Sequence, residues 1–424
     1  MNRAQRFTYR GYQSNGSTIT ATYELDGLVF HERVSVPDAD LADPAVDAII
    51  ELWYLIAGLS YYKTGAPLIV DFAGHQVGEH GMALVRAAYI DGLGEFAYRN
   101  GLNLDDITFT GDSPLRAPVV APASESVLIP FGGGIDSCVT VDALSHLPRT
   151  LFVMSPAHAT FAPLEEAAAV TGLPVARVTR QLDLEALRSH SRFNGHVPVT
   201  AMVTLLACVR ALSDGHGAVV MSNEHSSSVP NVVTNGRAIN HQWSKSAEAE
   251  LLIANAVAER VGNGFTVASF LRDRSELWVA REFSTLTHFH PLFRSCNRAF
   301  TQEQATRAVT WCGSCDKCLF INLVLAPFMD RAVLSAIFES EPLANPTLWG
   351  QLETLVGRGV NDKPFECVGD PSECAAALIA VAAHPQWSDV SAIHQLAAEL
   401  PTKPTLRALL EPQGVSRVPT SWLR

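Results

Sequence analysis

The stretch Val127-Leu128-Ile129-Pro130-Phe131-Gly132-Gly133-Gly134-Ile135-Asp136-Ser137 decides how this chain is read. An apolar run ends in three glycines and an Asp-Ser pair, after which Val139, Val141 and Leu144 follow at helical spacing. The pattern predicts a strand, a tight loop and a helix. Glycines let backbone N–H groups turn toward an anion with no Cβ in the way. Asp136 or Ser137 can cap the helix, whose N-terminus carries partial positive charge. Together these parts suit a phosphate. A Walker loop needs the lysine of G-x-x-x-x-G-K-[ST], and a dinucleotide loop needs the third glycine of G-x-G-x-x-G. Neither is present.

The residue order is similar to S-G-G-x-D-S, the PP-loop of ATP pyrophosphatases, with Gly132 where that family carries its first Ser. The resemblance implies that Gly132, Gly133, Gly134, Asp136 and Ser137 enclose the β- and γ-phosphates of ATP. A substrate oxygen then attacks the α-phosphorus, giving an adenylated substrate and pyrophosphate. Ser155, at the end of the next expected strand, is placed near the adenosine.

The 424 residues exceed one simple core and predict two or three domains. With 47% hydrophobic and 17% charged residues the chain reads as globular. The Met1–Arg6 start lacks an apolar signal region, and apolar runs are interrupted before spanning length. A cytoplasmic protein with no membrane partner is expected. The net charge of −12, without a basic run, argues against a nucleic-acid partner, because phosphate neutralisation dominates that affinity. The oligomeric state is not legible.

The expected fold class is α/β. Residues 1–118 form a β-rich α+β domain, with Ser14-Asn15-Gly16 and Asp26-Gly27 as hairpin turns. Residues 119–330 carry alternating strands and helices, hence a parallel sheet. Residues 331–424 form a helical region without a legible motif. One helix is expected over 82–98 and a Pro-rich linker over 113–126.

Ligands in parallel sheets bind beyond the strand C-termini. The strand Ala218–Ser222 runs into Asn223-Glu224-His225-Ser226-Ser227-Ser228, and Asn240-His241-Gln242-Trp243-Ser244-Lys245-Ser246 follows. Lys245 can neutralise phosphate charge during displacement. Glu224, with Asp136, can hold Mg²⁺, which prefers carboxylate and phosphate oxygens. His225, Glu224 and His241 are candidates for proton transfer.

Cys312, Cys315 and Cys318 form C-x-x-C-x-x-C, and Cys296 precedes them. Four thiolates suit a structural Zn²⁺. Reduced buried thiols or catalytic bases are the alternatives. A similar set holds zinc in the PP-loop enzymes that make 7-cyano-7-deazaguanine, with a shorter gap before the triplet. Cys138, Cys208, Cys367 and Cys374 are scattered.

Over about the first three quarters of the chain, GGGIDS, SNEHSSS, NHQWSKS and RSC followed by CGSCDKC, in this order, resemble the UDP-N-acetylmuramoyl-L-alanyl-L-glutamate epimerases, the MurL family. That resemblance implies ATP- and divalent-metal-dependent inversion of the terminal L-glutamate of UDP-MurNAc-L-Ala-L-Glu, releasing AMP and pyrophosphate. Adenylation would remove the carboxylate charge that otherwise opposes loss of the α-proton. A PP-loop ligase of the 7-cyano-7-deazaguanine synthase type and a non-catalytic nucleotide-binding protein are the alternatives.

Overall fold

The computed structural model describes residues 3–121, 123–157, 160–299, 308, 310–359 and 363–423. In chain order the strands are β1 Arg6–Asn15, β2 Thr18–Leu25, β3 Leu28–Ser35, β4 Ile69–Asp71, β5 Thr108–Thr110, β6 Val127–Pro130, β7 Arg149–Pro156, β8 Val175–Gln181, β9 Ala218–Met221, β10 Val232–Thr234, β11 Arg237–Ile239 and β12 Thr266–Ser269. Ten of them make one sheet in the order β12-β9-β6-β7-β8-β3-β2-β1-β4-β5, and β10 and β11 form a separate hairpin.

The two expected β systems therefore share one sheet. The parallel block β12-β9-β6-β7-β8 meets the antiparallel meander through β8 and β3, with Val34 opposite Arg180. At this seam the Arg180 guanidinium pairs with Glu32 at 2.6 Å and bonds the Ser60 hydroxyl at 3.0 Å. Glu32 is fully buried. The meander itself follows local rules: β2 alternates half-exposed and buried residues, the period of a sheet with one wet face.

The parallel strands separate two hydrophobic cores. Because side chains alternate across a strand, Leu128 and Val219 enter one core, and Val127, Ile129, Ala218 and Val220 enter the other. The first core is covered by the helices Pro44–Ala57, Glu79–Ile90, Val199–Ser213 and Ala247–Val261. The second takes Ile135–Ala143, Glu276–Thr285, Asp316–Leu325 and the C-terminal helices, including Pro371–Ala382. The region after 330 is helical, as expected, and its apolar faces complete the second core.

Some local expectations differ from the structure. The helix expected over 82–98 is two, Glu79–Ile90 and Gly94–Asn100. Periodicity continues across the break, but Gly92 packs against the Ala88 carbonyl and Trp243, leaving no space for a Cβ. The Pro-rich stretch is held against the body of the protein: the N–H groups of Val119 and Ala121 donate to the carbonyls of Arg260 and Val261.

Among the described residues, no helix is long and apolar enough to cross a membrane.

Candidate active site

The strand-loop-helix expected around Gly133 is present: β6 ends at Pro130 and a helix spans Ile135–Ala143. Its N-cap is Gly134, and no side chain caps it. Asp136 and Ser137 thus lie inside the first turn, and the Ser137 hydroxyl donates to the Gly134 carbonyl at 3.1 Å. Gly133 has φ +70°, a conformation that L side chains rarely adopt. At Gly132 a Cβ would meet nothing within 4 Å, so the loop is open on that side. Ser155 lies within β7, beside Thr179 of β8.

The polar loop after β9 is braced by a residue that sequence reasoning did not single out. The Arg272 guanidinium, three residues beyond β12, pairs with buried Glu250 at 2.8 Å. It also donates to the Glu224 carbonyl at 2.9 Å and the Lys245 carbonyl at 2.7 Å. One buried cation thereby fixes two segments far apart in sequence. The strand β12 was the available signal, since Arg272 obeys the same strand-end rule as Glu224.

Asp136, Glu224, Lys245 and Glu276, set beyond the ends of β6, β9 and β12, lie near enough to act on one another's charge. Burial raises the Asp136 carboxyl to about 7, with Glu224 adding to the rise and Lys317 and Lys245 opposing it. Burial, then Asp136 and Glu224, also push Glu276 well above the carboxylate range. Asp136 Oδ1 and Glu276 Oε1 are buried without a hydrogen-bond partner. Orphaned carboxylate oxygens facing like charge fit a hard divalent cation.

A thiol completes the cluster. Gln242 Nε2 donates to the Val368 carbonyl at 3.2 Å, and Asn231 Nδ2 to that of Pro364 at 2.5 Å, which draws the segment 363–368 over the polar loop. Cys367 Sγ then lies 3.7 Å from Lys245 Nζ. His241 stands near enough to act on Cys367, and its Nδ1 meets Glu95 Oε2 at 2.5 Å. Burial acts to raise the thiol, but Lys245 and His241 outweigh it and lower Cys367 to about 6. Burial likewise acts to lower His241, and Cys367 and Glu95 overcome it, raising the imidazole to about 9. Cys367 is also the largest influence raising Lys245. His196, 4.2 Å from the His241 ring, is lowered to about 4 by burial and then by His241. Glu95, His196 and His241 lie close enough to share an ion. With Glu95 Oε2 on His241 Nδ1 at 2.5 Å, we read the set as an ion-pair chain.

Of the other proton-transfer candidates, Glu224 is buried in the cluster. His225 begins a 3₁₀ turn, with its N–H on the Arg274 carbonyl and its ring beside Gly414.

Cys296, Cys312, Cys315 and Cys318 bring their sulfurs within 4.8 Å of one another. Cys312–Cys318 is 3.6 Å, Cys315–Cys318 3.4 Å and Cys296–Cys315 4.0 Å. Metal–sulfur bonds of about 2.3 Å in a tetrahedron place sulfurs roughly 3.8 Å apart. The Cys315 sulfur accepts the Cys318 N–H at the start of the helix Asp316–Leu325, which orients two of the four. Cys138, Cys208 and Cys374 are buried in the cores.

A mainly parallel α/β sheet that gathers carboxylates, lysines and a thiol beyond its strand ends defines an α/β protein with a candidate catalytic centre. Within that class the chain belongs to the MurL family: the MurL N-terminal domain matches residues 1–270 and the MurL C-terminal domain residues 292–410. Three relatives are each named UDP-N-acetyl-alpha-D-muramoyl-L-alanyl-L-glutamate epimerase. That of Micromonospora sp. is 38% identical, covering 95% of this chain and 92% of its own. That of Salinispora tropica is 34% identical, covering 100% and 95%, and that of Xanthomonas oryzae pv. oryzae 33%, covering 99% and 96%. No solved structure matches the chain.

Proposed function

We propose that this chain is an ATP-dependent epimerase that inverts the terminal L-glutamate of UDP-MurNAc-L-Ala-L-Glu in cytoplasmic peptidoglycan-precursor synthesis. The observation that carries this reading is the nearly full-length match to three relatives named for that reaction.

The site supports a PP-loop adenylation. The uncapped helix start and the open side of Gly132 suit phosphate oxygens, which would take the free N–H groups of the first turn. Lys245 carries a fixed positive charge within the same cluster and stabilises charge as the glutamyl carboxylate attacks the α-phosphorus. Asp136 and Glu224, with Glu276 beside them, would hold Mg²⁺, which when bound neutralises phosphate charge. The four-cysteine knuckle would hold a structural Zn²⁺. Adenylation makes the α-proton removable because the adjacent carbonyl no longer bears a carboxylate charge. Water then releases AMP and the inverted acid.

The test is incubation with ATP, Mg²⁺ and UDP-MurNAc-L-Ala-L-Glu, followed by pyrophosphate and AMP assay and chiral analysis of the glutamate. Substrate-dependent pyrophosphate with D-glutamyl product is expected. AMP without D-product would indicate a PP-loop ligase, and no AMP with any acid a nucleotide-binding protein.

A further inference from the structure

We infer that Cys367 is the group that exchanges the α-proton with one face of the adenylated glutamyl residue, with Lys245 and the His241–Glu95 pair holding its sulfur as an anion. This rests on the adenylating reading given above.

A base for this step must hold a free lone pair, be reachable and lie beside the adenylation cluster. Cys367 is partly exposed, whereas Cys138, Cys208 and Cys374 are buried. Its Sγ contacts Lys245 at 3.7 Å, and its charge reaches Asp136 of the glycine-loop helix. The thiolate is the reactive form of cysteine, and cationic neighbours favour it.

The other candidates suit proton removal less well. His241 is tied by its Nδ1 to Glu95 at 2.5 Å, and Glu95 and Cys367 both favour its protonated form. Glu224 stands among like charges, and His225 begins a turn beside Gly414. Lys245 bears the charge that the displacement requires. Arg272 and Gln242 hold the Glu224, Lys245 and Cys367 segments in one frame through backbone carbonyls.

The Cα–H bond breaks, its proton forms an S–H bond with Cys367, and its electron pair moves into the acyl carbonyl as an enolate. A solvent-derived proton adds to the opposite face of Cα. Hydrolysis consumes one water and releases AMP, and the Cys367 proton returns to solvent.

The experiment compares wild type with Cys367→Ala and Cys367→Ser, both checked for folding by circular dichroism, using UDP-MurNAc-L-Ala-L-Glu and ATP in D₂O. Substrate-dependent pyrophosphate release should stay within a few-fold of wild type in both variants. D-glutamyl product carrying α-deuterium should fall by about 100-fold or more. Three results would overturn the assignment: D-product near the wild-type rate in either variant; pyrophosphate release lost in parallel with epimerisation in a folded variant, which would place Cys367 in adenylation; or a glutamyl thioester on Cys367 in acid-quenched wild type, which would make it a nucleophile. Failure of wild type itself to release pyrophosphate would instead refute the adenylating reading.

Discussion

Lys245 and Cys367 are 122 residues apart in sequence, and their Nζ and Sγ lie 3.7 Å apart. The contact joins the polar loop after β9 to a segment leading into the helix Pro371–Ala382. It places a thiol held at about 6 next to a lysine whose own affinity for its proton is raised. At neutral pH this is an ion pair.

The thiol's reactivity should therefore reveal the pair. Alkylation of Cys367 by iodoacetamide, followed by peptide mass, should rise with an inflection near pH 6. In Lys245→Ala the inflection should move up by about one unit or more, because the cation that overcomes burial is gone. An unchanged inflection would contradict the contact.

His241 supplies the complementary sign. Cys367 is depressed from 9.0 to about 6, so its contribution to stability is present above 9 and is lost as pH falls toward 6. His241 is raised from 6.5 to about 9, so its contribution is present below 6.5 and is lost as pH rises through 9. Between about 6.5 and 9 the two slopes oppose each other, and the pair adds little net pH dependence. Cys367→Ala removes one slope and the largest influence raising His241. The His241 ring proton resonances should then titrate closer to 6.5 than in wild type.

Removing the lysine should affect the first chemical step. Lys245→Ala should lower substrate-dependent pyrophosphate release by on the order of 100-fold, the usual cost of losing one preorganised charge donor. A malachite-green assay with pyrophosphatase reads it, and near-wild-type release would exclude the role.

At the seam between β3 and β8, Glu32→Ala should leave the Arg180 guanidinium buried without its carboxylate. Breaking a buried pair costs about 3–5 kcal/mol, so the urea midpoint should fall markedly.

The knuckle should contain about one zinc per chain by elemental analysis. Cys318→Ser should lower both zinc content and melting temperature, since metal binding adds to folding free energy. Zinc-free protein with four free thiols at these positions and unchanged melting would refute it.

Residue order alone made the glycine loop legible, because a strand ending in glycines before a helical period is specified within a dozen neighbours. The same holds for the hairpins of β1–β3 and for the cysteine cluster, whose three-residue spacing sets two sulfurs at one helix start. The expected placement of Glu224 and Lys245 in the polar loop also follows local punctuation.

Other relations depend on chain segments that composition cannot bring together. The sheet order that joins β8 to β3 brings together Arg180 and Glu32 across 148 positions, and nothing in either segment names the other. Cys367 looked like any scattered cysteine, because its character comes from Lys245, His241 and, beyond them, Glu95. Sequence determines the chemical types present and their local geometry. Which charges share a low-dielectric space, and so which thiol becomes an anion, is decided by packing, because electrostatic interaction depends on distance and burial rather than on position along the chain.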